Sequence, residues 1–154
     1  MPGSSAFHQL DALLGEWRWE ASIAGTPTAY GEASFEWLEG DSFLLQHADG
    51  EPAPTAPPEW ITNLPFPTVA VIAFDDVTGM FSYAYADARG VRRVYQMHLT
   101  DRLWEISGQA GPEFYQRFHG RFSLDEQSID GRWERSRDNA EWDLDFEIVY
   151  TKTY

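Results

Sequence analysis

Cysteine is absent from the 154 residues, which removes disulfides, zinc–cysteine sites, iron–sulfur clusters and a thiol nucleophile. Basic side chains are scarce, 11 Lys and Arg against 25 Asp and Glu, for a formal charge of −14. A surface of that sign repels phosphate backbones and anionic lipid, so neither nucleic acid nor a membrane surface is expected as a partner. No apolar run nears the roughly 20 residues that a helix needs to cross a bilayer. The opening Met1-Pro2-Gly3-Ser4-Ser5 lacks the basic and apolar segments of a secretory leader, so a cytoplasmic protein is expected. Glycine-rich phosphate loops are missing, as is a Gly-x-Ser-x-Gly elbow. Histidines are few, His8, His47, His98 and His119, and no three of them share a spacing that would converge on a metal.

What the chain does have is apolar content of 43%, with 7 Trp, 7 Tyr and 10 Phe. Its length points to one domain, residues 1–154. Residues 4–14 carry Phe7, Leu10, Leu13 and Leu14 on one helical stripe, with Ser4 or Ser5 as cap and Gly15 as terminator. The period then becomes two. Trp17, Trp19, Ala21 and Ile23 alternate with polar residues, and the same alternation marks about ten strands up to Trp142–Tyr150. Glu39-Gly40-Asp41 and similar short Gly/Asp/Asn connections suit antiparallel hairpins. Residues 49–68 break the pattern with six prolines, and form a loop of the length that often covers a site. Ten twisted strands must close or split. The expectation is a closed, antiparallel up-and-down barrel with one short N-terminal helix over an end; a Greek-key sandwich is the alternative.

Two segments carry a family likeness. One runs through Leu14-Gly15-Glu16-Trp17 and Phe35-Glu36-Trp37-Leu38-Glu39-Gly40. The other runs through Phe118-His119-Gly120-Arg121-Phe122 and Ile129-Asp130-Gly131-Arg132-Trp133-Glu134-Arg135-Ser136 to Asp145-Phe146. Together they resemble a bacterial family of uncharacterised calycin-like barrels, and more distantly lipocalin and fatty-acid-binding barrels. The resemblance implies the barrel and names no reaction. The Gly-x-Trp opening is also similar to nitrobindins, whose haem iron is held by a histidine near the C-terminus. Trp142 to Tyr154 contains no histidine, cysteine or methionine, so haem is not carried over and no cofactor is expected.

Site candidates are the polar residues on apolar strand faces. Arg93 shares parity with Val91 and Tyr95, Gln116 with Phe114 and Phe118, and Arg135 with Trp133; Tyr83 and Tyr85 follow Phe81. Several such groups on adjacent strands suggest a partly solvated cavity that orients a small, partly apolar ligand, and guanidinium suits an anionic or carbonyl-bearing one. Trp60, isolated in the proline-rich loop, is placed near a mouth. Parity sends His98, His119, Asp143 and Asp145 outward, and puts His47, Leu144 and Trp142 inward. Alternatives are a cofactor-free enzyme, isomerase- or cyclase-like, in the same cavity, and a filled barrel serving as an interaction domain or homodimer.

Overall fold

The computed structural model describes residues 9–38 and 43–154. The expected helix residues 4–8, with the Ser4/Ser5 cap, Phe7 and His8, and the turn at Glu39-Gly40-Asp41, lie outside these. Of the helix, a single 3-10 turn, Leu10–Leu13, is described. Leu10 and Leu13 are fully buried beneath the barrel, and Trp17 Nε1 donates to Leu13 O at 2.8 Å, tying the turn to the first strand.

Ten strands follow: β1 (Gly15–Ile23), β2 (Thr26–Leu38), β3 (Phe43–Pro52), β4 (Thr68–Asp75), β5 (Met80–Asp87), β6 (Arg92–Thr100), β7 (Leu103–Gly111), β8 (Phe114–Phe122), β9 (Ser128–Ser136) and β10 (Asp143–Lys152). Each pairs with its sequence neighbours, and β1 pairs antiparallel with β10, closing the barrel. Closure removes the two free edges that an open sheet would expose. The hairpin between β1 and β2 turns on Ala24 and Gly25, and that between β6 and β7 on Asp101 and Arg102, all four at positive φ. Such two-residue turns twist in the same sense as the strands they join.

The upper end of the barrel carries the β1–β2, β5–β6, β7–β8 and β9–β10 connections and residues 53–67; the lower end carries the 3-10 turn. In the proline-rich stretch, β3 extends to Pro52 and a short helix, α1 (Pro58–Thr62), forms. This segment is pinned across the upper end: Ala53 N donates to Thr28 O at 2.9 Å, Thr55 Oγ1 to Pro27 O at 2.6 Å, and Ala88 N to Pro65 O at 2.9 Å. Phe66 packs on Trp19 with ring centroids 5.0 Å apart.

Alternation puts Trp17, Trp19, Phe35, Ile72, Phe81, Met97, Trp104, Phe118, Phe122 and Ile129 inside, each at most 4% exposed. Burying one such side chain contributes about 1.5–3 kcal/mol. Glycine makes room for the largest of them. A Cβ on Gly131 or Gly120 would meet the Phe118 ring at 2.6 or 2.8 Å, so that ring lies in a niche left by two missing side chains.

Four parity assignments are corrected. His47 points outward with Phe43 and Leu45, while Leu44, Gln46 and Ala48 are buried inside; β3 is apolar on both faces, so alternation alone could not orient it. The register between β9 and β10 shifts at Leu144/Phe146. That bulge puts Leu144 opposite Glu134 on the outer face, 37% exposed, and leaves Asp145 as the extra residue, turned from the outer face towards Arg135. Trp142 precedes the strand and lies on the outer wall beneath the Arg117 guanidinium, 4.1 Å from its ring centroid.

Candidate functional site

The inner wall changes character with height. Around the middle, inward side chains are shielded from solvent. Towards the upper end Tyr85, Arg93, Gln116, Trp133 and Phe146 share the inward parity yet are only partly buried. The lumen is therefore a filled core, and the cup is the set of partly exposed inward side chains at its upper mouth.

Tyr95 crosses the cup. It stands on β6 next to Gly108 of β7, where a Cβ would lie 2.6 Å from Tyr95 Cδ1. With no side chain in the way, the ring reaches over β7 and its hydroxyl donates to Gln116 Oε1 on β8 at 2.7 Å. Deeper in, Tyr83 Oη donates to Gln46 Oε1 at 2.6 Å. In both pairs the amide oxygen takes the phenol proton. The amide nitrogen of Gln116, at the cup, is left a donor with no acceptor among the described residues. Burial pushes the Tyr83, Tyr95 and Tyr150 hydroxyls above the ordinary phenol range, so all three stay neutral donors rather than bases.

The rim is charged. Asp87, its side chain fully shielded, accepts from Tyr85 Oη at 2.7 Å and from Arg89 Nε and Nη2 at 3.1 and 2.7 Å. It also accepts from the backbone N–H of Arg89 and Val91. Burial alone would raise this carboxyl, but the Arg89, Tyr85 and backbone donors together bring it below its usual value. Across the mouth, burial raises Asp145 from its usual value, against the pull of Arg135 at 3.8 Å.

Arg93 fills a gap in the wall. The β6–β7 ladder runs from Thr100↔Leu103 to Gln96↔Ser107 and stops. In the same register Arg93 would face Ala110. Instead its side chain spans the split, Nε donating to Ala110 O at 2.5 Å and Nη1 to Arg92 O at 2.7 Å. It makes no ion pair with a carboxylate among the described residues, so its charge at the rim is not neutralised locally.

The structure thus brings Arg93, Tyr95, Gln116 and Tyr85 to one mouth, with Tyr83 below them. Trp60 of α1 packs edge-on against Phe146, rings 5.0 Å apart, above Trp133. Arg135 pairs with Gln116 across β8 and β9, shares its inner parity, and is 59% exposed at the top of the same mouth.

This architecture has been seen before. The fold is shared with Rv2717c from M. tuberculosis. The solved structure of that protein superimposes with a TM-score of 0.61 at 15% identity, covering 97% of this chain and 98% of that one. No family model and no curated protein matches the chain. The likeness carries the fold alone, a closed antiparallel barrel. Among the described residues no helix is long and apolar enough to cross a membrane, and no cluster of three metal-ligating side chains occurs.

Sequence reasoning missed Gln46, Asp87, Asp145 and Phe66. Gln46 was hidden by the two-faced apolarity of β3 and Asp145 by the bulge. Asp87 stands at a strand end where turn and rim look alike in sequence, although its spacing to Arg89 is a usable signal for a turn that folds back on a carboxylate. A haem held by histidine does not fit these residues. The inner positions of β10 carry Phe146, Ile148 and Tyr150, while His47, His98 and His119 stand on the outer wall.

Proposed function

We propose that the upper cup binds a small, partly apolar molecule bearing a carbonyl or carboxylate group. The observation that carries this reading is the set of half-exposed inward side chains, Tyr85, Arg93, Gln116, Trp133 and Phe146, in a barrel whose inner wall is otherwise sealed. Trp133, Phe146 and Trp60 offer flat apolar contact. The Gln116 amide and the Arg93 guanidinium offer N–H donors, which pair with an oxygen acceptor rather than with a hydroxyl-poor hydrocarbon. Binding rather than turnover is the reading the buried tyrosines favour, because their phenols stay neutral donors.

Native mass spectrometry of freshly purified protein tests it. A co-purifying molecule, lost from Gln116→Leu and from Trp60→Ala while both variants melt like the parent, supports the cup. Chemical conversion of the molecule on incubation would move the reading to the enzyme alternative. Bare protein throughout, with no quenching of tryptophan fluorescence by a panel of aromatic and aliphatic carboxylates, would refute it.

A further inference from the structure

The outer wall of β3 to β6 is apolar, whereas β1, β2 and β10 are acidic outside and β8 and β9 carry Arg117, Arg121 and Arg132 there. Leu45, Val71, Ala84 and Val94 stand side by side across the four strands, each paired with the next. One step up lies the row His47, Val69, Ala86, Arg92, and one step down Ala73, Ser82, Gln96. Val94 is 72% exposed, Phe43 43% and Val69 37%. No carboxylate occurs in these rows, although the chain has 25. On the far wall, β1, β2 and β10 present Glu16, Glu20, Glu32, Glu36 and Glu147. Segregation of this kind leaves one face on which two strongly acidic molecules can meet without opposing their charges.

We propose that this face is where a second copy of the chain docks, about a two-fold axis running parallel to the strands between β4 and β5. The axis lays β4 on β5 and β3 on β6 of the other copy while keeping each row at its own height. Val71 then meets the other copy's Ala84, and Val69 its Ala86, so a larger side chain faces a smaller one in both directions. Leu45 meets Val94 at the flanks. The upper row is complementary in charge: His47 lies 3.8 Å from Asp49, and the axis delivers the other copy's Arg92 to that pair. Small side chains on β5 (Ser82, Ala84, Ala86) lower the centre of the face relative to its flanks, which offsets the curvature of the barrel. With strands ~4.8 Å apart and ~3.3 Å per residue, four strands of eight residues cover about 500 Å² per copy, or about 1,000 Å² over both, which reaches the lower bound for a specific interface. An area of this size fits a dimer that forms in the micromolar range and dissociates on dilution.

The absence of cysteine allows a clean test. Leu45 and the other copy's Val94 face each other across the ~10 Å between packed sheets, beyond a disulfide but within reach of a short bismaleimide, whereas like residues of the two copies are offset by a further three strand spacings, about 14 Å. Equal amounts of Leu45→Cys and Val94→Cys proteins are mixed at about 100 µM, treated with a short bismaleimide and run on a denaturing gel. A band at twice 17.6 kDa in the mixture, and not in either protein alone, is the expected result. Sedimentation velocity of the parent should show the dimer at the same concentration. Val71→Glu, with an unchanged circular dichroism spectrum, should be monomeric. Arg92→Glu should weaken association about ten-fold, and Asp49→Arg added to it should restore the parent affinity. A parent that stays monomeric, a Val71→Glu protein that still dimerises, equal cross-linking in the single-variant controls, or failure of the charge swap to restore affinity would each overturn the proposal.

Discussion

Replacing Arg93 by methionine separates a residue that seals the wall from one that only greets a ligand. Met keeps the unbranched stem and its apolar contacts but deletes both donors. The bond to Arg92 O is local, and water replaces it at little cost. The bond to Ala110 O is different: Ala110 is 5% exposed and the β6–β7 ladder supplies nothing at that height, so its carbonyl is left without a partner. An orphaned carbonyl of that kind costs about 1–3 kcal/mol, and a value near 2 kcal/mol is expected here. For a domain of this size each kcal/mol lowers the melting temperature by about 2–4 °C, so Arg93→Met should melt about 4–8 °C below the parent. Hydrogen exchange should locate the change. Amides at 92–94 and 108–111 should exchange faster, while those of Gln96–Leu99, held by the ladder, keep their protection. Arg93→Lys should recover part of the loss, because one ammonium can reach one carbonyl but lacks the planar fork. A methionine variant that melts with the parent and shows no local change in exchange would refute the idea that the guanidinium stands in for missing strand pairing.

Gly108→Ala should drive the Tyr95 ring off its path, since the added Cβ would sit 2.6 Å from Cδ1. The bond to Gln116 would break, at a cost of about 1–3 kcal/mol in chemical unfolding, and the cup would lose its crossbar. Asp87→Ala should cost about 2–4 kcal/mol, because Tyr85, Arg89 and two backbone N–H groups lose one shared acceptor. Asp87 titrates below its usual value in the folded state, so its contribution is present at neutral pH and fades as the pH falls below about 4. The gap between parent and Asp87→Ala should therefore close in acid, and a gap that persists to pH 2 would show that the carboxylate charge is not what matters. Stoichiometric haemin should leave no Soret band after gel filtration, since no histidine, cysteine or methionine lies on β10.

The barrel was legible because its strands are half-buried and say so. In β1, and in β6 from Tyr95 to Leu99, every second residue is apolar and its neighbours are mostly polar, which fixes both the strand and its inner face. The same logic placed Arg93, Tyr95 and Gln116 on the inner parity. It failed where the assumption behind it failed. β3 carries Phe43 and Leu45 outside as well as Leu44 and Ala48 inside, so alternation had no contrast to read, and His47 and Gln46 exchanged faces. In β10 one extra residue at the bulge inverted everything before Phe146, an event with no local signature in Asp143-Leu144-Asp145. What Arg93 touches was not legible either, because a break in the β6–β7 ladder is a property of two strands and is written in neither.

The closing ladder between β1 and β10 also sets the order in which the molecule can assemble. Nine of the ten ladders join strands that follow one another in the chain, so they can form as successive hairpins, eight with short loops and β3–β4 across residues 53–67. The tenth joins Trp17 to Lys152, across almost the whole chain. Closing a loop of that length costs about 2 kcal/mol more in chain entropy than closing a hairpin of about ten residues. It is rewarded only after β2 and β9 have been built to receive the two ends. Until then both β1 and β10 are unprotected edges, one bearing Trp17 and Trp19 and the other Ile148 and Tyr150. An unclosed sheet with those edges is the species most prone to pair with its own kind. Refolding yield should accordingly fall with protein concentration far more steeply than the stability of the finished barrel would suggest.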